Sequence, residues 1–318
     1  MTNKEKYKAL CTNDLSIPLY SQDWWLDGVC GENNWEALLY MNGEEIEAAL
    51  PFYSPGKGVI TMPAHTQTMG IWFNPAFEDT EYSKNLYRKQ FICSHLISCL
   101  PPHTSFFQNF HYSFTDWLPF YWKGYQQTTR YNYILPDIRN LDKLKAGLSE
   151  NVKRNIAKAQ KKYHLEIKRN IASEEFLDVN SMTYKRQNMK SYYPEMLKKM
   201  INLSRLRNQG DIWGAYDAGG KLHAAVFLVW QHDTAYYIAG GADPDLRNSG
   251  AQAYVLWQAI GELAAHTSSF DLAGSMVQGV EHFFRELGAI QKPYFTISKG
   301  KMSLIKKIVM KIQQLIRK

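Results

Sequence analysis

What this chain lacks narrows its identity first. Its 318 residues include four cysteines, Cys11, Cys30, Cys93 and Cys99, with no Cys-x-x-Cys pair and no metal-ligand spacing shared with histidine. A zinc ribbon, a disulfide scaffold and a dithiol centre are therefore set aside, and buried thiols are expected. The nine histidines are scattered; neither the His-Glu-x-x-His of a zinc protease nor a Gly-x-Ser-x-Gly nucleophile elbow occurs. Gly56-Lys57-Gly58 lacks the rest of a P-loop, and no Gly-x-Gly-x-x-Gly fingerprint is present, which argues against NTPase and dehydrogenase chemistry. No stretch approaches the roughly 20 apolar residues of a membrane-spanning helix. The start, Met1-Thr2-Asn3-Lys4-Glu5-Lys6, has no apolar core like that of a signal peptide, so a cytoplasmic location is expected.

What remains is a globular chain, 45% apolar with a net charge of +7, long enough for two compact domains, or one large one, with filled cores. The charge favours anionic partners. It concentrates in Lys143 to Arg169 and again in Lys299 to Lys318, so local patches matter more than the total.

Two distant segments read as one supersecondary unit. Trp35 to Tyr40 leads through Asn42-Gly43 into Ile46 to Phe52, and Ile212 to Tyr216 leads through Gly219-Gly220 into Leu222 to Trp230. Both are hairpin patterns, because such dipeptides supply the positive φ of a tight turn. Helical stretches precede each, Ser21 to Val29 and Ser173 to Leu206, which points to duplication of one α/β module. Further strands are expected near Val59 to Met62, Thr66 to Met69, Ser105 to Asn109, Tyr125 to Leu135 and Leu165 to Arg169, the last closing the first half. A helix is expected from Ser83 to Cys99, and one long helical stretch begins at Asn140.

The most informative segment runs from the strand-like Tyr236 to Gly241 through Asp243-Pro244-Asp245-Leu246 into a helix. Amides at a helix start have no internal partner and sit at the positive end of its dipole, a place for the diphosphate of an acyl donor. Here Ser249 reads as the N-cap and Gly250 as the point of close approach.

In order and spacing, Asn151-Val152-Lys153-Arg154-Asn155, Thr183-x-x-Arg186, Tyr236-Tyr237 with Gly240-Gly241, Phe270-Asp271-x-x-Gly274-Ser275 and Phe284-Arg285 resemble the Fem-like branch of the GNAT acyltransferase superfamily, which includes the Fem aminoacyltransferases of peptidoglycan cross-bridges. The resemblance is best over Leu148 to Lys299; residues 1 to 140 match mainly in architecture. It implies an α/β (α+β) fold of two tandem GNAT-like domains, each a mixed sheet flanked by helices, with a cleft between them. The domains would be 1–140 and 171–300, joined by a basic helix and strand over 141–170 and followed by a basic amphipathic helix over 301–318. It also implies transfer of an activated acyl group to a primary amine. The co-substrate would be acyl-CoA or aminoacyl-tRNA, with no tightly bound cofactor and no metal. Gln252 departs from the Gly or Ala that usually ends the Arg-x-x-Gly-x-Gly/Ala motif, which weakens the case for CoA pyrophosphate.

Aminolysis needs a neutral amine, a stabilised oxyanion and a proton sink, but no protein nucleophile. Backbone amides near Ile238 to Gly241 suit the oxyanion, Tyr236 or Tyr237 the leaving-group proton, and Arg285 a carboxylate or phosphate. Lys153, Arg154, Thr183, Arg186, Asp271 and Ser275 are the candidate substrate contacts, Asp271 being equally suited to cap the next turn. Arg247, Asn248, Ser249, Gly250 and Ala251 are the candidate donor-binding residues. The segment 301–318 sets Leu304, Ile305, Ile308, Val309 and Ile312 against Lys306, Lys307 and Lys311, a pattern for peripheral contact with the inner membrane face that suits a lipid-linked, anionic amine acceptor. Two other readings stand beside this one: a CoA-dependent N-acyltransferase for a sugar amine or amino acid, and a non-catalytic scaffold that binds RNA or membrane.

Overall fold

The structure, a computed structural model, describes residues 1–186, 193–274 and 276–300. Ser275 and the segment 301–318 lie outside the described residues. The chain divides into two compact units, Met1–Arg130 with the chain from Tyr294 onward, and Tyr131–Pro293.

In the first unit come α1 (Asn3–Asn13), α2 (Asp23–Cys30), β1 (Trp35–Asn42), β2 (Glu45–Gly56), β3 (Val59–Thr61), β4 (Trp72–Phe73), α3 (Tyr82–Ser98), β5 (Ser105–Asn109) and α4 (Leu118–Trp122). Helix α1 starts with a capping box in which Glu5 N donates to Thr2 Oγ1 at 3.2 Å and Thr2 N to Glu5 Oε2 at 2.6 Å. Only Tyr7 and Cys11 in α1 are buried, a stripe too narrow to stand out in the sequence. Phe52, Phe106, Phe110 and Phe120 pack with Ile92 and Leu96 of α3 as the core. Cys99, expected to be buried with the other thiols, is exposed at the end of α3. Thr66 to Met69 is not a strand; Met69 makes a β-bridge to Phe110.

The second unit holds β6 (Gln126–Leu135, from Tyr131 on), α5 (Leu141–Gly147), α6 (Glu150–Lys161), β7 (Glu166–Arg169), α7 (Ser173–Arg186), α8 (Pro194–Leu206), β8 (Gly210–Tyr216), β9 (Leu222–Gln231), β10 (Thr234–Ala242), α9 (Ala251–Leu263), β11 (Ser269–Asp271) and α10 (Gln278–Glu286). Strand β12 (Ile290–Gly300) then carries the chain back to the first unit. The helical stretch expected from Asn140 is two helices. Leu148 is extended (φ −66°, ψ 141°), and Ser149 Oγ accepts from Val152 N at 3.2 Å to start the second. Strand β7, expected to close the first half, pairs with β8 instead, where the Arg169 guanidinium lies 4.9 Å from the Trp213 ring and bonds Asp211 at 3.0 Å.

The two units repeat one order of pairing. In the first, β1 and β2 form the hairpin, β3 is antiparallel to β2, β5 is parallel to β3, and β12 is antiparallel to β5. In the second, β8 and β9 form the hairpin, β10 is antiparallel to β9, β11 is parallel to β10, and β6 is antiparallel to β11. Strands β8 and β9 are buried almost throughout, as expected of strands covered on both faces. Leu256, Ile260 and Leu263 of α9, with Val152 and Ile156 of α6, cover Trp213, Val226, Leu228 and Phe270. Each such aliphatic side chain contributes roughly 1.5–3 kcal/mol on burial, so α9 is anchored along its length while its N-terminus stays open to the site.

Candidate functional site

The site begins where two parallel strands part. Strands β10 and β11 pair only over Thr234, Ala235 and Tyr236, opposite Ser269, Phe270 and Asp271. β11 then ends, and β10 runs on to Ala242 beside β9 alone. A bulge sharpens the departure: Tyr237 pairs with Leu228 and Ala239 with Phe227, which leaves Ile238 as the extra residue. Successive side chains on a strand face opposite ways, so the two tyrosines differ. Tyr236 is buried and is not among the cavity-lining residues. Tyr237 lines the cavity beside Phe284, ring centroids 5.9 Å apart, and its hydroxyl lies 3.5 Å from Gln252 Nε2. Burial first, and then the neighbouring Tyr184, pushes the Tyr237 phenol well above its usual range. It therefore stays a neutral O–H donor at physiological pH.

A 3-10 turn over Pro244–Ser249 connects β10 to α9. The cap of α9 is Gly250, not the expected Ser249, with φ 79° and no side-chain hydrogen bond at the cap. Ser249 is buried and its Oγ accepts from Ala251 N at 3.3 Å. Gly250 is required twice over: its backbone is left-handed, and a β-carbon there would collide with the Asn155 carbonyl of α6. Gly241 is equally constrained, since α7 backbone at Val179 and Asn180 occupies the position of a β-carbon. Two side chains of α7 bond the free end of β10: Asn180 Nδ2 donates to Gly240 O at 2.8 Å, and Ala242 N donates to Thr183 Oγ1 at 3.2 Å.

These elements enclose a cavity of about 490 Å³. Tyr237, Gly240 to Ala242, Arg247, Ser249 to Ala253 and Phe283-Phe284 line it, together with Asn155, Thr183, Arg186 and His223. Arg186 and Arg247 stand at an exposed edge. Partial burial and the charge of Arg247 both lower the Arg186 pKa. Two guanidinium groups held this way gain most from an anion set between them.

Several expected contacts fall elsewhere. Arg285 is exposed on α10, with Nε on Glu281 at 3.0 Å and Nη2 at 3.1 Å from His282 Nδ1, and does not line the cavity. Lys153 pairs with Glu150 at 2.9 Å and Arg154 is exposed; neither reaches the cavity, although their neighbour Asn155 does. Asn248 is exposed and also off the lining. Asp271, at the last paired rung of the fork, is 3% exposed. Its oxygens accept from Asn132 Nδ2 at 2.9 and 2.8 Å, and Oδ1 caps the next turn through Ala273 N at 2.7 Å. With no cation among these partners, burial raises its pKa to about 7.

Nothing in the sequence singles out His223. It lines the cavity, is 3% exposed, and its Nε2 lies 3.1 Å from Asp217 Oδ2. A lone histidine inside an apolar strand carries no spacing signature. Among the described residues no group of His, Cys, Asp and Glu is arranged to hold a metal, and no helix is long and apolar enough to cross a membrane.

Residues 147–285 match the acetyltransferase (GNAT) domain family. The fork, the bulge and the helix entered at Gly250 all lie within that span, and the second unit has the GNAT fold. Across both units the chain has the tandem GNAT fold of Fem-like proteins. It is similar to the crystal structure of FemX, with a TM-score of 0.66 at 10% identity over 93% of this chain and 96% of that one. The C-terminal domain (DUF2156) of a candidate lysylphosphatidylglycerol synthetase from Agrobacterium fabrum gives 0.55 at 10% identity, covering 94% and 93%. A tandem GNAT protein from the clavulanic acid biosynthesis pathway gives 0.50 at 10% identity, covering 90% and 99%. No curated protein matches the sequence significantly.

Proposed function

We propose that this protein transfers an activated aminoacyl or other acyl group to a primary amine, with the donor seated in the cavity between β10, α9 and α10. The observation that carries the reading is the fork: β10 leaves β11 after Tyr236 and opens onto a cavity bounded by the uncapped start of α9. A carbonyl entering there meets oriented main-chain dipoles, which stabilise a developing oxyanion without reorganisation. The amine attacks, a C–N bond forms, the C–O or C–S bond of the donor breaks, and the proton lost by nitrogen passes through solvent. The Tyr237 O–H is suited to protonate the departing oxygen or sulfur.

An ester donor of the aminoacyl-tRNA kind is favoured over acyl-CoA. The Asn155 carbonyl already crowds Gly250, and Gln252 takes the place of the small residue that lets a pyrophosphate approach. The arginine pair supports a phosphate or carboxylate on the donor or acceptor, and a lipid-linked or nucleotide-linked amine of the cell envelope meets that requirement from the cytoplasmic side. The test incubates the purified chain with aminoacyl-tRNAs or an acyl-CoA panel and amine acceptors of each type, reading acceptor mass. Acylation by aminoacyl-tRNA that falls in Tyr237→Phe supports the reading. Tight RNA or vesicle binding by a folded chain that acylates nothing refutes it in favour of a scaffold.

A further inference from the structure

We infer that His223 is the residue that reads the ligand of this cavity, by accepting a hydrogen bond from a hydroxyl that the ligand carries close to its phosphate. The inference rests on the donor occupying the cavity as proposed. It stands on two observations that do not depend on each other: His223 lines the cavity, and its Nδ1 is buried without any hydrogen-bond partner.

The tautomer follows from the neighbours. Asp217 is fixed by the hairpin turn, where its Oδ1 accepts from Lys221 N at 2.9 Å, and its Oδ2 lies 3.1 Å from His223 Nε2. A carboxylate only accepts, and hydrogen bonds from Lys221 N and His223 hold Asp217 ionised, its pKa below the usual value. Nε2 therefore carries the proton, and in the neutral ring Nδ1 is a bare acceptor. Its main chain is held by Asp243 N, which donates to the His223 carbonyl at 3.0 Å, and the Tyr163 ring lies edge-on with centroids 6.3 Å apart. An acceptor buried and unpaired is costly, and a ligand that brings a donor removes that cost.

Position decides which part of the ligand is read. His223 stands beside Asp243, beyond the end of β10, several rungs from the fork at Tyr236. Leu246 N donates to Asp243 O, and Arg186 follows Thr183, the partner of Ala242 N, by one turn of α7; both line the cavity, as does Arg247. The group recognised is thus remote from the reacting carbonyl, next to the anion, and a hydrogen-bond donor: a phosphate ester with a neighbouring hydroxyl. A ribose and a glycerol-type headgroup both carry that chemistry.

Titration calorimetry with two matched pairs separates them: adenosine 3′-monophosphate against its 2′-deoxy form, and glycerol 3-phosphate against propyl phosphate. The wild-type chain should prefer the hydroxyl-bearing member of one pair by roughly tenfold, and that pair names the source. His223→Phe should level the pair while leaving the deoxy or propyl member bound as before. Equal affinity within both pairs, or binding of none of the four probes, overturns the inference and leaves Nδ1 to an ordered water. Preference retained by His223→Phe overturns it as well. The transfer assay reports separately: acylation by a wild-type chain with no hydroxyl preference sinks only this inference, whereas hydroxyl preference without acylation sinks only the transferase reading.

Discussion

Replacing Asp271 with asparagine should stabilise the second unit at alkaline pH and leave it unchanged in acid. The carboxyl titrates at about 7 in the folded protein against 3.8 for a free side chain. Below the lower value both folded and unfolded chains hold the proton, and nothing is lost. As pH rises between the two values, the unfolded chain releases its proton while the folded one keeps it, so stability falls steadily. Above about 7 the full penalty of a buried carboxylate applies. At about 1.4 kcal/mol per pH unit the interval is worth about 4 kcal/mol, an upper figure because local opening admits water. An asparagine at this position keeps an oxygen for Ala273 N and Asn132 Nδ2 without the charge. The assay is urea unfolding at about pH 5 and about pH 8, read by hydrogen exchange of β9 and β10 amides so that the second unit is followed alone. With an m-value of about 2 kcal/mol per molar, Asp271→Asn should raise the midpoint by up to roughly 2 M at the higher pH and by roughly 0.8 M at the lower, where about 1.2 pH units of the interval have been crossed. An equal change at both pH values, or a loss at the higher one, would show that the carboxylate is paired in a way this geometry does not contain.

Three other substitutions test the site. Tyr237→Phe removes the cavity's hydroxyl donor and should lower kcat by roughly 10²-fold with little change in KM, the scale of a lost transition-state hydrogen bond; an unchanged kcat assigns the tyrosine to packing. Gly250→Ala imposes a left-handed alanine and a collision with the Asn155 carbonyl, so calorimetry should find the second unit roughly 2–4 kcal/mol less stable; a stability equal to wild type would mean that α6 yields freely. Arg285→Ala removes an exposed side chain held by Glu281 and His282 and should leave kcat/KM within about twofold; a large loss would place Arg285 on the substrate.

How far the site was legible depends on which interaction fixed each residue. The hairpins and the helix after Gly250 were visible because each rests on local rules: turn dipeptides, strand periodicity, and glycine where the backbone turns left-handed. The capping of α9 misled for the same reason. Ser249 is a good cap in isolation, but α6 lies against the next residue and only glycine fits beneath Asn155, a constraint set by a helix about a hundred positions earlier in the sequence. Arg285 looked functional from its place after Phe284. Helical periodicity turns Phe284 inward to Tyr237 and its neighbour outward, so adjacency in sequence was the wrong measure. His223 and Asp271 were hidden or under-read in a different way. Each is a polar residue within a strand, where periodicity registers only burial, and its chemistry arises from partners brought together by strand pairing: Asp217 across a hairpin, and Asn132 from β6, which runs antiparallel to β11. A buried ionisable group takes its character from what solvates it in place of water, and that is a property of the fold.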